Sequence, residues 1–273
     1  MPSRWEVALT GPRDIPVPLG ALQAVVSGWL DDRPQASAAR PGVQSAHSAA
    51  ARAWACGPQR TCLTEAGGTV AVLEVRLLDD ALAGRLGRAV RPGRTVRLGA
   101  GEYQVAVPAR ETSRASWADL RRWGGERAWQ VRFVTPVCLR RGNRTSPWPA
   151  PESVARGLAE RWHRLDPATA PPPPERGLPS VWVSDIEGHS EANILSRRGR
   201  RDGQWRVTEE VISGFTGRIR YVCDHGSEAN AADFGGLLAF AAYAGAGSHT
   251  TYGFGVMCPE PTWQPPTVRL GHL

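Results

Sequence analysis

Apolar side chains at Leu19, Leu22, Val26, Trp29 and Leu30 return every three or four positions along residues 17–30, the spacing of a helix that buries one face. The segment before it, residues 4–10, alternates polar and apolar as a half-buried strand does. The same reasoning puts strands at 43–55, 69–77 and 103–109 and an amphipathic helix at 79–90. The resulting order, βαββαβ, is that of the ferredoxin-like unit.

A second unit follows with nearly the same order. Residues 128–139 (AWQVRFVTPVCL) form a strand rich in β-branched and aromatic side chains. Pro149 and Pro151 open a helix over 152–165, where Val154, Leu158, Trp162 and Leu165 share a face. The run APPPPE at 170–175 is a stiff, polyproline-like surface loop. Strands at 180–186, 205–211 and 217–223 come next, then a helix at 231–244 and a strand at 254–258. One hairpin of this unit is therefore elaborated. The expected fold class is α+β: tandem ferredoxin-like (RNA-recognition-motif-like) domains, the first over residues 1–125 and the second over 126–273. Trp29, Trp123 and Trp162 fall at core-like positions, so the tryptophans are expected to pack and not to stack on bases.

Composition narrows the partners. The 273 residues carry a formal net charge of +7, and all 33 of the Lys+Arg residues are arginine. A basic surface of this kind suits a polyanion. Guanidinium groups bind phosphate bidentately but cannot exchange a proton near neutral pH. The five cysteines, at 56, 62, 138, 223 and 258, form no C-x-x-C pair and read as reduced thiols of a cytoplasmic protein, not as zinc ligands. No basic stretch leads into an apolar core at the N-terminus, and the longest apolar run, around 237–246, is too short for a membrane span. No membrane association is expected.

The stretch 245–255, GAGSHTTYGFG, places four glycines in eleven residues after the last helix. A P-loop needs a lysine that this chain lacks. A dinucleotide fingerprint needs a third glycine where Thr250 stands, and it runs from strand to helix, the reverse of the order here. Two readings remain. Gly245, Gly247 and Gly253 could let backbone N–H groups approach a phosphodiester, with Ser248, His249 and Thr250 adding side-chain donors. Alternatively the loop is a tight turn that only packs against its neighbours.

Residues 239–257 (AFAAYAGAGSHTTYGFGVM) resemble the C-terminal glycine-rich signature of the RAMP superfamily. The likeness is to its CRISPR-associated endoribonucleases, which cut precursor CRISPR RNA within the repeats. Residues 131–162, with a strand ending in Thr-Pro and a helix carrying Arg-Trp, and residues 213–221 (SGFTGRIRY) are similar to further stretches of the same branch. The resemblance implies paired ferredoxin-like domains with RNA across their shared face. It also implies a metal-independent reaction without cofactor, in which a ribose 2′-OH attacks the neighbouring phosphate and leaves a 2′,3′-cyclic phosphate and a 5′-OH. The implied partners are CRISPR repeat RNA within precursor CRISPR RNA and, where the mature guide is retained, other subunits of a CRISPR effector complex.

That reaction needs a base near the 2′-OH, an acid near the leaving oxygen and positive charge on the phosphate. The resemblance assigns the catalytic histidine to the region of His47, where the second strand of the first domain is expected. Arg52, five residues on, would brace the phosphate without transferring a proton. His249 in the glycine loop is a second candidate, as a backbone contact or at the leaving group. His163, His189, His225 and His272 sit in helix-end, hairpin, turn and tail contexts and take no role. No spaced carboxylates suggest a metal nuclease. For binding, Arg197, Arg198, Arg200 and Arg201 crowd a hairpin tip that suits an RNA stem. Arg218 and Arg220 alternate on one strand face, and Arg140 and Arg141 follow the Thr-Pro strand.

Two other classes stay open. One is a non-catalytic RAMP subunit that only binds guide RNA in an effector complex. The other is a general tandem RNA-binding protein, which ranks last because aromatic RNP-type strands are missing.

Overall fold

The computed structural model describes residues 1–11, 19–31, 52–63, 69–123, 126–141, 144–174, 178–201 and 204–260, with backbone alone at 19, 63, 69, 141, 196–201 and 204–208. The expected His47 therefore lies outside the described residues, as does most of the strand expected over 43–55.

The first unit is built on β1 (Ser3–Thr10), α1 (Leu19–Leu30), β2 (Trp54–Leu63), β3 (Thr69–Leu77) and α2 (Ala81–Ala89), followed by β4 (Thr95–Leu98), β5 (Gly101–Val105) and β6 (Arg110–Arg114). The strand order β2-β3-β1-β5-β4, antiparallel throughout, is the ferredoxin-like order with an added hairpin strand. Leu73, Val75 and Leu77 of β3 bury against α1 and α2, together with Val7 and Leu9 of β1. The strand expected over 103–109 stops at Val105, and a further strand, β6, starts beyond the expected range at Arg110; β5 pairs with one end of β1 and β6 with the other. Pro108 falls between them, and a proline has no N–H to give a ladder.

A short helix, α3 (Trp117–Arg122), leads to the second unit. This comprises β7 (Ala128–Val137), a small hairpin β8 (Leu139–Arg141) and β9 (Arg144–Ser146), α4 (Pro151–Leu165), β10 (Val181–Arg201), β11 (Gln204–Cys223), α5 (Glu228–Ala244) and β12 (Met257–Glu260). The order β10-β11-β7-β12 repeats the ferredoxin-like arrangement. The segments expected at 205–211 and 217–223 are one strand, and β10 runs on past residue 186, so the elaborated hairpin is a single long ribbon. Its polar, glycine-containing middle reads as a turn in sequence. In the fold Gly188 faces Gly217 across the ladder. A Cβ at Gly217 would lie 2.2 Å from the Glu187 carbonyl oxygen, so only glycine lets the two strands continue there.

The tryptophans divide. Trp29, Trp54, Trp129 and Trp162 are buried, whereas Trp123, Trp148 and Trp182 are about half exposed. Trp123 is thus not a core residue: α3 ends before it, with Leu120 turned inward instead. The two units meet through α3 and β3. Trp117 packs on Trp162 and Phe240 at ring-centroid distances of 5.3 and 5.6 Å, Arg121 pairs with Asp233, and Leu78 joins the second core. Among the described residues no helix is long and apolar enough to cross a membrane.

Candidate functional site

The glycine stretch leaves the C-terminus of α5 and closes on itself. Ala246 N–H donates to the Gly255 carbonyl, Ser248 N–H to Cys138 and Gly255 N–H to Pro136. A Cβ on Gly247 would lie 2.4 Å from the Cys138 oxygen, and one on Gly255 would lie 1.8 Å from the Ala246 oxygen. Both residues have positive φ, 79° and 66°. Gly247 and Gly255 therefore serve close backbone packing, and several N–H groups of the stretch are spent on the turn itself and on the neighbouring Pro136 and Cys138 carbonyls. Thr250–Tyr252 form a 3₁₀ turn whose N-cap, His249, has φ 62°, the one non-glycine with positive φ among the described residues. Strain of this kind is found where a site fixes the backbone. The His249 ring is 5% exposed, with Nδ1 3.0 Å from Ser248 Oγ, and packs against Tyr252 and Phe254.

The turn touches the first unit at the flanks of the segment 32–51. Asp31, next to the end of α1, meets Arg52, which precedes β2: Nε lies 3.3 Å from Asp31 Oδ2. The Trp54 indole donates to Asp31 Oδ1 at 2.7 Å, and Arg52 stacks over that ring. The two ends of the segment that carries His47 are thus joined by one ion pair. Cys56 donates its thiol to the Thr251 carbonyl at 3.1 Å, and burial pushes that thiol well above its ordinary pKa despite Arg76 and Arg52 nearby.

Arg161 completes the junction. On α4 it sits on the face of Val154 and Leu158, seven and three positions on, so the sequence does hold a signal: a lone arginine on an apolar stripe. Its Nη1 donates to the Ala244 carbonyl at 2.7 Å and to Thr250 Oγ1 at 2.9 Å, and Nη2 donates to the Trp54 carbonyl at 3.0 Å. Burial, with the charges of Arg164 and Arg76, lowers its pKa to about 10, so it stays charged at neutral pH. The sequence alone assigned no site role to Arg161, Asp31 or Trp54.

Two of the arginine groups adjoin the turn. Arg140 is exposed on β8, two residues after Cys138, whose carbonyl accepts from both Ser248 N–H and Ser248 Oγ. The root of the long ribbon packs there too, through Leu195 and Ile212 against Cys138 and Phe254. Arg197, Arg198, Arg200 and Arg201 lie farther out on β10, where only the backbone is described, as it is at Arg141 in the β8–β9 hairpin. Arg218 and Arg220 are elsewhere, on the sheet face turned away from α4 and α5. Arg218 is ion-paired there with Glu260 at 3.0 Å and with Glu187 at 3.8 Å. On the corresponding face of the first sheet, Glu74 accepts from Arg4 at 2.8 Å and from buried Arg76 at 2.6 Å. Burial alone would raise the Glu74 carboxyl, but the two guanidinium groups outweigh it and hold it below the ordinary range.

Residues 131–257 match the family model for the CRISPR-associated endoribonuclease Cas6, so the second unit carries that family's sequence pattern. Among solved structures the chain is similar to the Cas6 (TTHB231) product complex, with a TM-score of 0.67 and 22% identity over 95% of this chain and 100% of the other. It is similar to a histidine-to-alanine mutant of Cas6 (TTHA0078), with a TM-score of 0.64 and 25% identity over 95% and 100%. Thermus thermophilus Cas6 (TTHB231) aligns with a TM-score of 0.61 and 22% identity over 95% and 98%. A search of curated proteins finds no match. The tandem ferredoxin-like fold is shared with these structures over nearly the whole chain.

Proposed function

We propose that this chain, a Cas6-type protein of the RAMP superfamily, is an endoribonuclease that binds CRISPR repeat RNA and cuts precursor CRISPR RNA within the repeat. One observation carries the reading: the glycine turn of the second unit abuts the joined flanks of the segment that holds His47. RNA lying along the turn, Arg140 and the arginine-tipped ribbon would pass that segment. His47 would move a proton during attack of the 2′-OH on the adjacent phosphate, giving a 2′,3′-cyclic phosphate and a 5′-OH without a metal. Arg52, already paired with Asp31, would lend positive charge to the phosphate and no proton. The likeness to product and substrate-mimic complexes of Cas6 (TTHA0078) supports RNA as the ligand class.

The burial of His249 favours a second reading, in which the turn only carries RNA and the chain is a guide-RNA-binding subunit. Incubating wild type and His47→Ala with 5′-labelled repeat RNA in EDTA separates the two. A single cut with a cyclic phosphate end, lost in the variant, supports the nuclease. Binding without any cut supports the subunit, and a cut that survives the substitution moves the chemistry away from His47.

A further inference from the structure

Arg161 has no function in the reading above, yet its geometry is unusual. The guanidinium is 6% exposed, and among the described residues no carboxylate pairs with it. Burying a charge in this way is costly, and a leucine or methionine would fill the apolar face of α4 at lower cost. Its acceptors are two main-chain carbonyls and one hydroxyl, besides a longer contact from Nη2 to the Arg52 carbonyl at 3.3 Å. They belong to three places: the last residue of α5, the 3₁₀ turn of the glycine stretch, and the two residues Arg52 and Trp54 where the chain leaves the segment 32–51. The Ala244 carbonyl is at the negative end of a helix, which favours a cation there.

We propose that Arg161 is a positioning residue, which holds the exit of the His47 segment in register with the glycine turn so that RNA bound on one unit meets the proton-transfer group of the other. This rests on the nuclease reading. Its planar fork spans acceptors on both sides at once, which a lysine ammonium does less well. The charged part of the binding surface, Arg140 and the ribbon, lies on other elements, and the turn adds no cationic side chain to it. Loss of Arg161 should therefore leave affinity in place and slow the chemical step.

The test uses the full chain with Arg161→Met and Arg161→Lys. Affinity is measured with repeat RNA carrying a 2′-deoxy ribose at the cut, and single-turnover cleavage is measured at saturating protein. In Arg161→Met the rate should fall about 100-fold with affinity changed less than about threefold, since small misplacements carry costs of that size. Arg161→Lys should recover part of the rate. Backbone amide exchange at 52–56 and 248–254 should rise together in Arg161→Met, while the core of α4 keeps its protection. An unchanged rate, affinity and rate falling in parallel, or exchange rising throughout the second core would each overturn the proposal. If wild type binds but never cuts, the nuclease reading fails, and amide exchange alone decides whether Arg161 ties the two segments.

Discussion

Arg161 Nη2 donates to the carbonyl oxygen of Trp54 at 3.0 Å, so a helix of the second unit closes a buried hydrogen bond on the first strand after the His47 segment. The same guanidinium holds Thr250 of the glycine turn. The proposed chemistry depends on that three-way junction.

The thiols report on the junction directly. Cys62 is exposed, whereas Cys56 and Cys138 are buried, and burial raises both of their pKa values. With a thiol-specific disulfide reagent at pH 8, Cys62 should react first, and Cys56 and Cys138 only as the chain unfolds. Rapid labelling of Cys56 in the folded protein would mean that the glycine turn does not stay seated on β2.

The glycines of the turn are unequal. At Gly255 an added Cβ meets the Ala246 oxygen at 1.8 Å, whereas at Gly253 (φ 88°) the nearest atoms are 3.7 Å away. Gly253→Ala should cost only the left-handed penalty of about 1–2 kcal/mol. Gly255→Ala must move backbone and should cost distinctly more. Thermal melts of the two variants compared with wild type check the ranking.

Glu74 predicts the acid limb of stability. Its carboxyl is depressed by Arg76 and Arg4, so its contribution is complete above the unfolded pKa of about 4.3 and disappears as pH falls through the lower folded value. Glu74→Gln leaves buried Arg76 and partly exposed Arg4 without a carboxylate and should cost about 3 kcal/mol at pH 7, most of it at Arg76. Urea unfolding from pH 7 to pH 3 should then show a shallower loss in the variant than in wild type. Parallel curves would remove Glu74 from the account.

The ribbon arginines should be visible in salt dependence. Replacing Arg197, Arg198, Arg200 and Arg201 by alanine should weaken repeat-RNA binding and reduce the slope of log K against log salt by about one per lost phosphate contact. Arg218→Ala, at a site already paired with Glu260 and Glu187, should change the slope little. An unchanged slope in the fourfold variant would take the ribbon out of the interface.

The order of both βαββαβ units was legible in the sequence, because a helix or strand that buries one face must repeat its apolar residues with the period of that element, although the second strand, expected over 43–55, is described at Trp54–Leu63. The letters of the glycine stretch and of the Arg-Trp helix also carried a resemblance to the Cas6 pattern that residues 131–257 match. The sequence misled where a local signal was overridden by pairing across the chain. The glycine-containing middle of the ribbon is continuous ladder because Gly188 faces Gly217, and the strand expected over 103–109 ends at Val105, with β6 starting only at Arg110, because both pair with β1.

By itself, then, the sequence determined the periodic elements, their order and the stock of chemistry: arginine without lysine, few histidines and one glycine-dense turn. Only the tertiary structure decided how these are used. It turned His249 inward, spent much of the turn's backbone on its own closure, paired Arg52 with Asp31 and brought Arg161 to the edge of the other unit. The reason is physical. Periodicity is a property of neighbours along the chain, whereas a hydrogen bond across 107 residues forms only after both units have packed, and no local spacing encodes its partner.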